Sequence, residues 1–191
     1  MRLISAGLLR RAGVPGIAEN PGLQNSAISK DTGYALAAYR KNTTIARIET
    51  NRGTMEIALF REDAPVTSER FATLAGEGIY NGMEFALPAP FQAIEGQIPG
   101  NRIRLRRMVN SEINMRPFER GSVGMKLASG GSDTGGFFIA LAPLPYMDGV
   151  NTCFGRVISG MQVADRLVPG DRIRQITIKE TVNFHDYQRY K

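Results

Sequence analysis

The sequence is poor in the residues that usually bind metals or form disulfides. Its 191 residues include one cysteine, Cys153, one histidine, His185, and no tryptophan. A single cysteine excludes an internal disulfide, and Cys153 is interpreted as a small core residue within a strand. A lone histidine without a cysteine cluster argues against a transition-metal site. No apolar run approaches the ~20 residues of a membrane span. We therefore expect no metal, no cofactor and no membrane-spanning segment.

Positive charge is concentrated at the N-terminal end. The formal net charge is +6. Residues 1–46 carry six basic and two acidic side chains, or +4, and the remaining 18 basic and 16 acidic side chains give +2. Residues 1–12 contain no acid, and Arg2, Arg10 and Arg11 flank aliphatic residues at helical spacing. This pattern is typical of a mitochondrial transit peptide; the alternative is a disordered basic terminus.

The residues before the first predicted strand form an arm, 1–43, without a sustained hydrophobic period. Such a segment cannot build its own core. Ordering a backbone costs about 1–2 kcal/mol per residue, so we expect the arm to lie on protein subunits of a larger assembly. The folded domain is expected at 44–182, followed by a polar-aromatic tail at 183–191.

Periodicity predicts strands and helices along the domain. Apolar and polar residues alternate on both sides of a turn at 51–53. A helix is predicted to start at Pro65, which suits the first helical position, with Glu62 and Asp63 near the positive end of its dipole. The remaining predictions include a helix over 160–168 and a last strand over 172–182.

The stretch from Gly121 to Val157 predicts three short strands joined by turns. Its distinctive residues are Met125, Phe137-Phe138-Ile139, Leu141-Ala142-Pro143, Asp148-Gly149 and Phe154-Gly155-Arg156-Val157. In order and spacing they resemble the central region of cyclophilins, the peptidyl-prolyl isomerases. The resemblance implies a mainly β fold, a closed eight-stranded antiparallel barrel with two helices, to which the N-terminal arm is added.

The resemblance also implies where a catalytic site would lie. The family motif Phe-His-Arg-x-x-Pro-x-Phe-x-x-Gln-Gly-Gly-Asp aligns without gaps from Phe85, and the resemblance places Phe85 in the implied peptide groove. In this register the catalytic arginine becomes Leu87, which has no donor. Gln92 and Ala93 stand at the phenylalanine and methionine of the proline pocket. Glu95 stands at the glutamine that orients the arginine.

The opposite wall of the implied groove has changed as well. The peptide-binding Ala-Asn pair becomes Lys126-Leu127, a glutamine becomes Gly136, Trp-Leu becomes Tyr146-Met147 and a histidine becomes Asn151. Phe138, the floor of the proline pocket, is kept, and a core role explains it equally well.

A run of arginines departs most from the family. Arg102, Arg104, Arg106 and Arg107 stand where cyclophilins have a loop rich in glycine and threonine. An extended segment would place three of them on one face. One interpretation is a solvated, charged edge that resists aggregation. The other is a binding surface for the phosphates of anionic lipid or RNA, or for an acidic subunit.

These substitutions favour a catalytically inactive cyclophilin that serves as a structural subunit of a large mitochondrial assembly, such as a respiratory-chain complex or a ribosome. One alternative is a weak or atypical isomerase that uses another donor. A second alternative is a non-catalytic binder of proline-containing peptides.

Overall fold

The computed structural model describes residues 43–86, 92–98, 110–127 and 133–181. Within these ranges the strands are β1 Thr43–Thr50, β2 Gly53–Leu59, β3 Glu84–Ala86, β4 Ala93–Gln97, β5 Ser122–Leu127, β6 Asp133–Ala140, β7 Cys153–Ser159 and β8 Ile173–Thr181. The helices are α1 Pro65–Gly76 and α2 Met161–Ala164, with a 3-10 turn at Pro145–Met147. The arm, the tail, Leu87 and the arginine run lie outside the described residues. In the part that is described, no helix is long and apolar enough to cross a membrane.

The eight strands form one antiparallel sheet in the order β3-β4-β6-β5-β7-β2-β1-β8. The sheet curls until its two end strands meet. Glu84 forms an antiparallel bridge with Arg172, and the Ile173 amide donates to the Met83 carbonyl at 2.9 Å. The expected mainly β architecture of eight antiparallel strands and two helices is confirmed. Among the described residues, the two end strands, β3 and β8, are joined only along this short seam.

A buried carboxylate ties the β1–β2 turn to the seam. Asp171 accepts hydrogen bonds from the Asn51 amide at 2.6 Å, from Arg52 Nε at 2.9 Å and from the Val168 backbone N–H at 2.9 Å. Burial acts to raise the pKa of Asp171, but these donors outweigh it and hold the pKa below its usual range. The turn at Asn51 and Arg52 is the one that the sequence predicts.

The inside of the barrel is filled by alternate residues of the strands. Met55, Ile57 and Leu59 of β2 point inward and are at most 1% exposed, as their period-2 pattern predicts. Phe71 of α1 enters this core, with its ring centroid 5.2 Å from that of Phe154 and 5.0 Å from that of Tyr80. Truncating such an aromatic residue typically costs about 3–5 kcal/mol.

Helix α1 begins at Pro65 as predicted, but a distant residue caps it. Ala64 offers no capping side chain. The carboxylate of Glu112 accepts hydrogen bonds from the backbone N–H groups of Val66 at 3.0 Å and Thr67 at 2.7 Å. Asp63, expected near the helix dipole, instead accepts a hydrogen bond from Arg116 Nε at 2.6 Å. The charge that stabilises this helix end thus comes from the chain that precedes β5.

The second helix is shorter than predicted, and the last strand contains an irregularity that the sequence does not predict. The helix predicted over 160–168 is only Met161–Ala164, followed by turns. In β8, Ile173 and Ile176 are both buried although they are three residues apart. The register with β1 shifts between Glu49 and Thr50. This bulge admits one extra residue and so returns the next isoleucine to the inside.

Candidate functional site

Three neighbouring strands, β4, β6 and β5, carry several of the positions that the sequence places in a peptide groove. Residues paired directly across antiparallel strands share a face of the sheet. Glu95 pairs with Phe138, and Phe138 pairs with Gly124, so the three form one row. Their sequence neighbours Ile94 and Phe137 belong to the interior core. The row therefore lies on the outer face of the barrel.

The outer face has an apolar cluster of its own. Its buried members are Phe60, Ala93, Phe118, Phe138, Ala140, Leu144 and Cys153, with Met147 packed against them. The ring of Phe118 stacks on that of Phe138 with centroids 5.3 Å apart and planes at 29°. Phe138 is only 2% exposed. It lies as a floor beneath the surface and does not form the surface itself.

Gly124 makes room for the stacked rings. A Cβ at this position would lie 2.2 Å from Cζ of Phe138 and 2.6 Å from Cε1 of Phe118. Those distances are far inside van der Waals contact, so no other residue fits without moving both rings. Sequence reasoning missed Phe118 and Gly124. The one available signal was an aromatic residue six positions before a glycine in a predicted strand.

An ion pair lies beside the apolar cluster. The ammonium group of Lys126 on β5 donates to the carboxylate of Glu95 on β4. The side chains are 27% and 19% exposed, so the pair is shielded but reachable from solvent. Both residues stand where the family has other residues, but the sequence does not predict that they contact each other.

The rim of the outer face is formed by the segment that contains the 3-10 turn. Tyr146 is 58% exposed, and Met147 covers the apolar cluster. The Asn151 side chain donates to the Met125 carbonyl at 3.2 Å and so ties this segment to β5. Gln92 is half-buried, and its carbonyl accepts a hydrogen bond from the Leu141 amide at 2.7 Å.

Comparison with known proteins identifies the family. A family model described as "Cyclophilin type peptidyl-prolyl cis-trans isomerase/CLD" matches residues 45–185. The chain is a member of the cyclophilin family. It is 37% identical over 152 residues to "Peptidyl-prolyl cis-trans isomerase" of Helicobacter pylori (strain ATCC 700392 / 26695), covering 73% of this chain and 90% of the relative.

Two further matches, one curated relative and one solved structure, belong to the same family. Over 127 residues the chain is 36% identical to "Peptidyl-prolyl cis-trans isomerase ppi1" of Schizosaccharomyces pombe, covering 63% of this chain and 82% of the relative. A crystal structure of a Cryptosporidium parvum cyclophilin type peptidyl-prolyl cis-trans isomerase matches with a TM-score of 0.65 at 22% identity. It covers 73% of this chain and 99% of that structure. This structural match supports the fold.

The expectation of an inactive structural subunit is wrong. The relatives that this cyclophilin matches over most of their length are named as isomerases, and the family model is that of the isomerase domain. The isomerase alternative is therefore better supported. The mitochondrial location, the partners of the arm and a lipid or RNA ligand for the arginine run stay predictions, because they depend on residues outside the described ranges.

The structure separates the predicted groove residues into two groups. Ala93, Glu95, Lys126, Phe138 and Met147 meet on the outer face of this cyclophilin, with Tyr146 and Asn151 at its rim. Phe85 differs from its prediction. It pairs with Gly96 and is 2% exposed in the interior core, because alternation along β3 turns it inward. Gly136 is buried in β6, and Leu127 is half-buried at the end of β5.

The thiol of Cys153 belongs to the outer apolar cluster and is 1% exposed. Burial raises the pKa of the thiol to about 11. The thiolate is the nucleophilic form of cysteine, and it is scarcely populated at neutral pH with such a pKa. Cys153 therefore acts as a small apolar core residue, as the sequence predicts, and supplies no nucleophile.

A concavity lies on another part of this cyclophilin, away from the outer face. It has a volume of about 470 Å³ between α1 and β8, where Ala72, Thr73, Ile176 and Ile178 line it. It shares no residue with the outer-face cluster. A peptide bound on the outer face would thus leave it open.

Proposed function

We propose that this cyclophilin is a weak or atypical peptidyl-prolyl cis–trans isomerase. The observation that carries the proposal is its membership of the family, together with the isomerase names of relatives that it matches almost end to end. The substituted arginine position argues for low turnover and for a donor other than the family's. It does not outweigh the relationship across the whole domain.

Cis–trans isomerisation requires little covalent chemistry from the protein. Rotation about an X–Pro bond breaks amide resonance, with an uncatalysed barrier of about 18–20 kcal/mol. An apolar surface that holds the proline ring fixes one side of the rotating bond. A hydrogen-bond donor near the bond stabilises the nitrogen lone pair that appears as resonance is lost. Such a donor acts mainly in the transition state and therefore raises turnover.

The outer face supports the apolar part of this scheme. Met147 packs against the cluster that contains Phe138 and Phe118, and its neighbour in the chain, Tyr146, is exposed. A proline ring placed against Met147 would rest on a surface backed by closely packed aromatic rings. Because those rings are buried and stacked, the surface is rigid. Rigid positioning lowers the entropy lost when a substrate is held for reaction.

The proposal is tested by exchange spectroscopy on Ala-Pro and Gly-Pro peptides. We expect cis–trans exchange faster than the uncatalysed process, which takes tens to hundreds of seconds, and slower than with the Helicobacter pylori relative assayed in parallel. Met147→Ala should lower kcat/KM about tenfold, as expected from losing roughly 1.4 kcal/mol of apolar contact. Val168→Ala is the matched control, because Val168 is an exposed aliphatic residue outside the outer-face cluster.

Exchange at the uncatalysed rate, under conditions where the relative accelerates it, would overturn the proposal. Binding of the same peptides without acceleration would identify a non-catalytic proline-peptide binder.

A further inference from the structure

The ion pair of Lys126 and Glu95 is a polar feature of the outer face. The apolar packing of the cluster beside it does not require this pair. Glu95 stands next to Phe138 across β4 and β6, and Gly124 stands next to Phe138 on the other side. Lys126 follows Gly124 by two residues and returns to the same face. Its side chain crosses over β6 to reach Glu95. The pair therefore spans the strand that carries the aromatic floor.

Among the residues of strands β4, β5 and β6, Lys126 is also the only lysine or arginine. The nearby arginines of the described chain have other roles. Arg116 donates to Asp63 at 2.6 Å and lies 3.9 Å over the ring of Phe60. Arg120 makes two hydrogen bonds to Asp165, at 2.8 and 2.7 Å. Lys126, on β5, is thus the cation on the strand next to the one that carries Phe138.

We propose that Lys126, positioned by Glu95, is the hydrogen-bond donor to the prolyl bond during rotation. This inference rests on the proposed isomerase function and names the donor that it needs. Lysine carries its donors on a flexible stem as a compact charge. A carboxylate partner restrains that stem, so the ammonium group is held beside the apolar surface before a substrate arrives.

The two residues have different roles in this scheme. Lys126 contacts the substrate and interacts most strongly when the nitrogen lone pair is exposed, so its loss affects kcat more than KM. Glu95 is a positioning residue and acts through Lys126. No proton is transferred, because the donor keeps its hydrogen throughout the rotation. The rotation leaves both side chains as they were.

The test compares Lys126→Met, Lys126→Arg and Glu95→Gln in the full chain, with Ala-Pro peptides as substrate. Removing a single preorganised donor lowers kcat about 10²–10³-fold in other enzymes, and we expect a loss of this order for Lys126→Met with little change in KM. Lys126→Arg keeps a cationic donor and should retain most of the turnover. Glu95→Gln should lower kcat by about tenfold. Lys179→Met on the exposed side of β8 is the matched control and should change nothing.

A double variant separates a coupled pair from two independent effects. If Glu95 acts through Lys126, adding Glu95→Gln to Lys126→Met causes no further loss of kcat. Thermal melts check that each variant folds, and Lys126→Arg and Glu95→Gln still test the inference if Lys126→Met does not.

The outcomes distinguish this inference from the function on which it rests. Wild-type turnover with an unchanged kcat in Lys126→Met would overturn the role of Lys126 and leave the isomerase function standing. A wild-type protein without turnover would overturn the isomerase function, and the donor with it. Loss in Lys126→Met with recovery in Lys126→Arg supports both.

Discussion

Gly124 is the residue on which the packing of the outer face depends. It stands between the stacked rings of Phe118 and Phe138, where a Cβ would come within 2.6 Å of both. Those rings are buried, so they cannot turn away from an added methyl group without leaving the rest of their cluster. The close approach of two aromatic side chains to the backbone explains why a glycine occupies this strand position.

We expect Gly124→Ala to lower the free energy of unfolding by about 1–3 kcal/mol through overpacking. Chemical denaturation measures the change. Gly76→Ala is the control, because nothing lies within 4 Å of a Cβ there, and alanine at the end of α1 should be neutral or slightly stabilising. Combining Gly124→Ala with Phe118→Leu should recover part of the loss. Equal stability of the two single variants would show that the rings yield easily.

The sequence indicated single positions of the outer face but not their contacts. The resemblance implied that Ala93, Glu95 and Phe138 belong to one site, because each stands at a family site position. The contact between Glu95 and Lys126 joins residues 31 positions apart. It depends on strand register, which no local pattern fixes. Phe85 was assigned to the groove for the same reason, since the motif gives its position along the strand but not its face.

At the scale of elements, the sequence pattern correctly predicts where helix α1 begins but not which residue caps it. Pro65 marked the first turn correctly. The acceptor for its free N–H groups is Glu112, which lies 46 residues from Val66 along the chain. The Glu112 backbone N–H donates to Thr152 Oγ1 at 2.9 Å, so the cap also connects α1 to the start of β7. Through its carboxylate and its backbone N–H, Glu112 thus links α1, the start of β7 and the chain before β5.

We expect Glu112→Ala to destabilise the protein by about 1–2 kcal/mol, because two N–H groups at the start of α1 lose their acceptor. Glu112→Gln keeps one acceptor oxygen and should cost less. Hydrogen exchange should locate the change at Val66 and Thr67. Glu119→Ala is the control, since its carboxylate forms an exposed ion pair with Arg156, and such pairs contribute little. Similar losses in Glu112→Ala and Glu119→Ala would argue against a capping role.

At the scale of the whole molecule, the described residues form a continuous interior core. The buried apolar residues of the interior run from Ala46 to Ile176. β1 starts at Thr43 and pairs along its length with β2 and β8. The basic segment before Thr43 was predicted from composition to lack a core, and it lies outside the described residues.

We therefore expect a chain without residues 1–42 to fold with an unchanged Tm, within about 2 °C. For a domain of this size 1 kcal/mol corresponds to about 2–4 °C. A thermal melt of the truncated and full chains makes the comparison, and the isomerase assay should give the same kcat for both. A Tm lowered by more than about 5 °C would mean that the segment stabilises the barrel.

The short seam between β3 and β8 can form only after β8, the last strand, has been synthesised. β1 finds its first partner, β2, across a two-residue turn, but its second partner lies more than a hundred residues later in β8. Until β8 leaves the ribosome, one edge of β1 has no strand beside it, and the interior lacks Ile173 and Ile176. Closure is thus a late, long-range event, which slows folding. The nascent chain exposes an open sheet edge, a recognised site of misassembly, for most of its synthesis.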